Sequence, residues 1–213
     1  MGKFVRMTGS AAVALILCAA CATQFEAADA TRIHKIRLSG FAEPTYQALF
    51  FVLLNAAPVK PEGYDEFSVL MARQNLHLGA ELKAAVTQAL RNDGYEVVED
   101  GSTSADAVLD LQIRGWEPSP NPLYASHGGD YEPEFVIGIQ MTDSTTKRTL
   151  FSGGYVYRDN LIKPRTGSAP DPKYYFKTAK ELFDNPQLAA QGFRAAEPLI
   201  AQSIESALRK SGS

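Results

Sequence analysis

Residues 78–116, LGAELKAAVTQALRNDGYEVVEDGSTSADAVLDLQIRGW, decide the fold class. Leu78, Leu82, Ala85, Val86, Ala89 and Leu90 recur at spacings of three and four, the period that gathers side chains on one face of a helix, so a helix is predicted over Leu78–Asn92. Gly94 stops it. Tyr95–Glu99 then reads as a strand, and after a polar turn the pattern changes to alternation over Ala107–Trp116. Leu109, Leu111 and Ile113 oppose Val108, Asp110, Gln112 and Arg114 there. One helix followed by two strands in succession excludes a regular alternation of strands and helices.

Working outward, Ile33–Phe41 fits a first strand, and Tyr46–Asn55 (YQALFFVLLN) is an apolar run read as a buried strand, with a short helix as the alternative. Residues 58–67 read as a loop rich in Pro, Gly and charge. A second loop, Glu117–Pro133, separates the 107–116 strand from a hairpin of Phe135–Thr142 and Thr149–Tyr157, turned by Asp143–Lys147. Gly153 and Gly154 suggest a bulge in its second arm. A further loop over 158–172 precedes a closing amphipathic helix, Pro186–Lys210, interrupted at Gly192 and Pro198. Strands clustered in runs predict an α+β fold: a mixed, mainly antiparallel sheet with two principal helices packed on one side, in a single domain over 32–210.

The front of the chain has another character. Lys3 and Arg6 precede the apolar stretch Ala11–Leu17, and small residues lead to Cys21, which is the layout of a signal peptide over residues 1–20. The apolar stretch falls well short of the ~20 residues that span a bilayer. Ala19-Ala20-Cys21 resembles the lipobox of bacterial lipoproteins, with Cys18 standing where that motif usually has Leu. The resemblance implies acylation of Cys21 and, with Ala22 rather than an acidic residue following, sorting to the outer membrane facing the periplasm. Residues 21–31 are then expected to form the lipidated N-terminus and a tether.

Composition narrows the function classes. The chain of 213 residues carries 21 Lys and Arg against 24 Asp and Glu, and loss of Lys3 and Arg6 with the leader makes the remainder more acidic still. No basic run occurs, and an electrostatic grip on nucleic acid needs one. The only cysteines are Cys18 and Cys21, so the folded part has no disulfide, thiol nucleophile or thiolate metal site. A domain of this size builds a core without metal or cofactor, and none is expected.

The stretches LHLGAELKAAVTQALRNDGYEVV (76–98), ADAVLDLQI (105–113), and KYYF with LFDNPQLAAQG within 171–192 resemble a group of proteobacterial lipoproteins with no established activity. In outline they are also similar to periplasmic envelope-accessory lipoproteins. The resemblance supplies no catalytic residue.

Among residues that carry chemistry, His34, His77 and His127 show no metal-binding spacing. The sharpest cluster is His127-Gly-Gly-Asp130 with Tyr124, Tyr131 and Glu132 nearby, which a solvated loop explains as well. Glu132 and Glu134 alternate at a strand entrance, and Ser152 and Ser168 have no nucleophile-elbow context. Trp116, Tyr124, Tyr131, Tyr155, Tyr157, Tyr174 and Tyr175 bracket the two long loops, either as a recognition surface or as a lid over the core. The expectation is a non-enzymatic, membrane-anchored lipoprotein that binds an envelope protein partner, with a binding module for a small ligand, glycan or lipid as the alternative.

Overall fold

The computed structural model describes residues 25–42, 64–98, 104–117, 131–157 and 167–209. The apolar run at 46–55 lies outside them, as do Cys21, Tyr124 and His127. Six strands form one mixed sheet in the order β2-β1-β3-β4-β5-β6: β1 is Lys35–Ser39, β2 Glu96–Val98, β3 Ala107–Glu117, β4 Glu134–Asp143, β5 Thr149–Tyr157 and β6 Gly167–Ser168. The long pairings, β3 with β4 and β4 with β5, are antiparallel. The three short ones, β1 with β2, β1 with β3, and β5 with β6, are parallel.

The α-helices of the described residues are α1 (Ala27–Ala30), α2 (Tyr64–Arg73), α3 (Leu78–Asn92), α4 (Ala179–Asp184), α5 (Pro186–Arg194) and α6 (Ala196–Arg209), with a 3-10 turn at Pro172–Tyr174. Alternation in the strands decides which sheet face they cover. Ile36 and Leu38 of β1, Ala107, Leu109 and Leu111 of β3, and Ile137, Ile139 and Met141 of β4 are all buried. Registers that pair Leu38 with Leu109 and Leu109 with Met141 bring these residues to one face. The intervening Lys35, Arg37, Val108, Asp110 and Gln140 are half-buried or exposed. Leu82, Val86 and Leu90 of α3 pack into the covered face beside Ile200, Ile204 and Leu208 of α6. Each such side chain contributes ~1.5–3 kcal/mol by leaving water.

α3 spans the predicted residues, but the closing helix divides in two at Ala195. Pro198 falls in the first turn of α6, where a backbone N–H has no intrahelical acceptor, so it starts a helix instead of kinking one. Gly192 lies inside α5 and breaks nothing: a Cβ there would stand 3.1 Å from Pro133 Cγ and from Tyr174 Cβ and Cγ, so glycine lets the helix approach both. The expected bulge at Gly153 and Gly154 is also displaced. Register runs unbroken through both, and the irregularity falls between the Met141–Phe151 and Thr142–Thr149 pairs, leaving Leu150 as the extra residue.

Within the segment expected to be a tether, Phe25 is 1 % exposed and belongs to the core, and Asp29 is bonded to Arg148, so the folded unit includes residues from Phe25 onward. Two further helices occupy segments read as loop or left unassigned. α2 buries Phe67 and Met71, a spacing of four, and α4 buries Leu182.

Candidate functional site

Two polar clusters stand out, one around the buried Asp29 and Asp143 at the β4–β5 turn and one half-buried among the helices. The first joins the N-terminal segment to the β4–β5 turn. Asp29, 4 % exposed, accepts hydrogen bonds from Arg148 Nη2 at 2.7 Å to Oδ1 and 2.8 Å to Oδ2, and from Arg32 Nη2 at 3.2 Å. Asp143, 1 % exposed, accepts from the backbone N–H groups of Thr146 and Thr145 at 2.7 and 2.8 Å and pairs with Arg32 at 2.6 Å. The Thr146 N–H leads in holding Asp143 down to about 2, with Thr145 N–H and the Arg32 guanidinium adding to it against the cost of burial. The turn chemistry is that of an Asp whose carboxylate closes its own loop, with Lys147 in the left-handed region at φ 60°. Asp106 strengthens the same end by accepting from His34 N–H and Lys35 N–H at 2.9 and 2.8 Å.

The second cluster knits the helices. Arg194 closes α5 and donates from Nε to Glu81 Oε2 at 2.8 Å and from Nη2 to the carbonyls of Asn75 and Gln74 at 2.9 and 3.2 Å. Glu81, in the first turn of α3, also accepts from His77 N–H at 3.0 Å. Burial opposes its ionisation, but the bonds from Arg194 and His77 prevail, and its carboxyl lies below the ordinary range. Glu197, in the first turn of α6, bonds to Glu81, and its Oε1 is buried with no hydrogen-bond partner. Burial, and then the negative charge of Glu81, push Glu197 up to about 8. One guanidinium faces two carboxylates, so one of the two keeps a proton at neutral pH, and Glu197 is the one that does.

Beside this node lies an open groove of about 520 Å³, lined by Gln74, Asp184, Asn185, Pro186, Gln187, Leu188 and Gln191. Gln74 belongs to both, lining the groove while its carbonyl accepts from Arg194. Asn185 joins α4 to α5, and Phe183 next to Asp184 is 37 % exposed. The groove offers side-chain amides and a carboxylate beside the apolar Pro186 and Leu188.

The aromatic residues singled out in the sequence take different places, and Tyr124 lies outside the described residues. Tyr155, Tyr157 and Tyr174 are 5 %, 1 % and 9 % exposed, so these three lie in the interior. Burial holds the Tyr157 phenol protonated well above its ordinary value. Tyr155 shares a 2.8 Å hydrogen bond with Ser168 of β6, and half-buried Tyr175 donates to the Pro170 carbonyl at 3.4 Å. Half-buried Tyr131 forms a two-bond antiparallel bridge with Phe176. Trp116 stands near the end of β3 in register with Phe135. Glu132 is half-buried and Glu134 buried at the entrance to β4. His34 and His77 are exposed and precede β1 and α3 respectively.

Sequence reasoning did not single out Asp29, Arg32, Asp143, Arg148, Glu81, Arg194 or Glu197. Their partners are more than a hundred residues apart except within each local turn, and no local pattern announces such pairs. Among the described residues no group of three or more His, Cys, Asp or Glu could hold a metal ion. No helix of the described residues is long and apolar enough to cross a membrane.

No family model matches the chain, and no curated sequence matches it. Solved structures similar to it include lipoprotein GNA1162 from Neisseria meningitidis, at 12 % identity and a TM-score of 0.35, covering 62 % of this chain and 87 % of that one. A PelC dodecamer from Paraburkholderia phytofirmans gives 12 % identity and 0.33, covering 79 % and 90 %. The hypothetical protein CT253 from Chlamydia trachomatis gives 9 % and 0.40, covering 83 % and 98 %.

Proposed function

We propose that this chain is an exported, non-enzymatic envelope lipoprotein. It is acylated on Cys21, held on the periplasmic face of the outer membrane, and docks a protein partner belonging to an envelope assembly or transport system. The Ala19-Ala20-Cys21 lipobox resemblance supports the anchor. The single observation that carries the partner reading is the groove at Gln74 and Asp184–Gln191. Small-ligand sites are concave and mostly apolar, enclosing most of the ligand. This groove is open, and its three glutamines and one asparagine can both donate to and accept from a peptide backbone.

The test is a crosslinking pull-down of the tagged full-length protein from intact cells, beside Cys21→Ala and Gln191→Arg forms. Recovery of one defined envelope protein, lost with either substitution, is the expected result. Recovery of only lipid or glycan by all three forms would overturn the partner reading in favour of the ligand-binding alternative.

A further inference from the structure

The placement of the first cluster determines which end of an anchored domain meets the bilayer. Phe25 is sealed in the core, and Asp29 and Arg32 are bound to Arg148 and Asp143 across the β4–β5 turn. Chain length does the rest. The four residue steps from Cys21 to Phe25 cover at most about 14 Å however they are arranged. A ten-residue tether would let the domain tumble over its anchor. A four-residue leash ending in a buried phenylalanine does not.

Strand direction places the other landmarks. β1 begins beside the clamp, since His34 and Lys35 bond to Asp106, whose carbonyl accepts from Ser144 N–H in the turn. Glu96 N–H, at the start of β2, donates to the His34 carbonyl, so the C-terminal end of α3 at Asn92, four residues before Glu96, lies at this same end. α3 has 15 residues and is therefore about 22 Å long. Its other end carries Glu81, Arg194 and the groove.

We infer that a lipid bilayer is the occupant of the end formed by α1 and the β4–β5 turn, and that the groove points away from the membrane into the periplasm. This rests on the lipoprotein reading above. Arg32 and Arg148 are matched by Asp29 and Asp143, which leaves this end close to neutral. The acyl chains and the short leash orient the domain, so the orientation is insensitive to salt and to anionic lipid.

The mature chain has no cysteine beyond Cys21, so single labelling sites can be introduced cleanly. Exposed Thr145→Cys in the turn and exposed Gln191→Cys on α5 would each carry an environment-sensitive fluorophore. The full lipidated protein would be placed in phosphatidylcholine vesicles bearing a headgroup quencher, with and without phosphatidylglycerol. The label at 145 is expected to lose most of its emission and the label at 191 to keep its own, in both lipid mixtures. Equal quenching at the two sites, or none at either in a protein that floats with the vesicles and carries an acylated Cys21, would overturn the orientation while leaving the lipoprotein reading intact. A protein that fails to float and shows no added mass on Cys21 would overturn both. An Arg32→Ala, Arg148→Ala double variant that still floats is expected to lose the difference between the sites, and its retention would show that the clamp does not set the orientation.

Discussion

The two polar clusters are built from the same residue types and behave in opposite ways. At the sheet end, two carboxylates meet two guanidinia and a pair of backbone N–H groups, and Asp143 is held down to about 2. At the helix end, two carboxylates meet one guanidinium, and Glu197 is pushed up to about 8. Asp29 and Asp143 are buried and Glu81 and Glu197 half-buried, so burial alone would raise the first pair more. The difference is the number of donors per buried carboxylate: where it is sufficient the cluster is a fixed strut, and where it is short one member must hold a proton and the cluster becomes titratable.

Removing a member of the fixed cluster gives the largest expected effect. Asp143→Ala strands two turn N–H groups and the Arg32 pair, and is expected to cost about 3 kcal/mol in urea denaturation, with the loss similar at pH 5 and pH 8. Arg194→Met should cost about 2 kcal/mol at pH 8, where Glu81 is left ionised without its partner, and much less at pH 4.5. An equal loss at both values would mean that Arg194 acts through packing alone.

Glu197→Gln reverses the sign. From the ordinary value of 4.5 up to about 8, the folded chain keeps a proton on Glu197 that the unfolded chain has released, so stability falls as the pH rises through that window. The glutamine variant is expected to be more stable than wild type by about 1 kcal/mol at pH 8 and indistinguishable from it at pH 4. Asp143 works from the other side. Its stabilising effect is complete above its ordinary value of 3.8 and is lost as the pH falls toward about 2. The two groups together place the stability maximum of the wild type near pH 4 to 5, which a series of urea midpoints would reveal as a peak there. The smallest effect is at the turn: Lys147→Gly relieves φ 60° and should raise stability by about 0.5 kcal/mol, despite losing the Lys147 Nζ bond to the Ser144 carbonyl.

The α+β class, the boundaries of α3 and the β4–β5 hairpin were legible because periodicity is local, and Leu82, Val86 and Leu90 or Ile137, Ile139 and Met141 declare their faces within a few residues. α4 carries a local signal too, the Thr178-Ala-Lys-Glu181 pattern in which Thr178 Oγ1 accepts from Glu181 N–H and Glu181 reaches back to Lys177 N–H. α2 was hidden by the Pro- and Gly-rich stretch before it, which drew the loop too far forward over Phe67. The buried clusters were beyond local reading, because Asp29 with Arg148 and Glu81 with Arg194 join residues more than a hundred positions apart. Buried tyrosines fall in the same class: the sequence leaves Tyr155 and Tyr157 open between a recognition surface and a lid over the core, and only the register with Ile137 and Phe135 and their burial set them in the interior.

The contrast between the clusters comes down to where two protons sit, and a carbon-13 carboxyl titration of the folded protein, with Glu197 and Asp143 assigned by their amide variants, observes both at once. A Glu197 midpoint near 8, with Asp143 still ionised at pH 3, is the predicted result. Midpoints for both groups near 4 would contradict the account, since they would show that the number of donors around each buried carboxylate does not govern its charge.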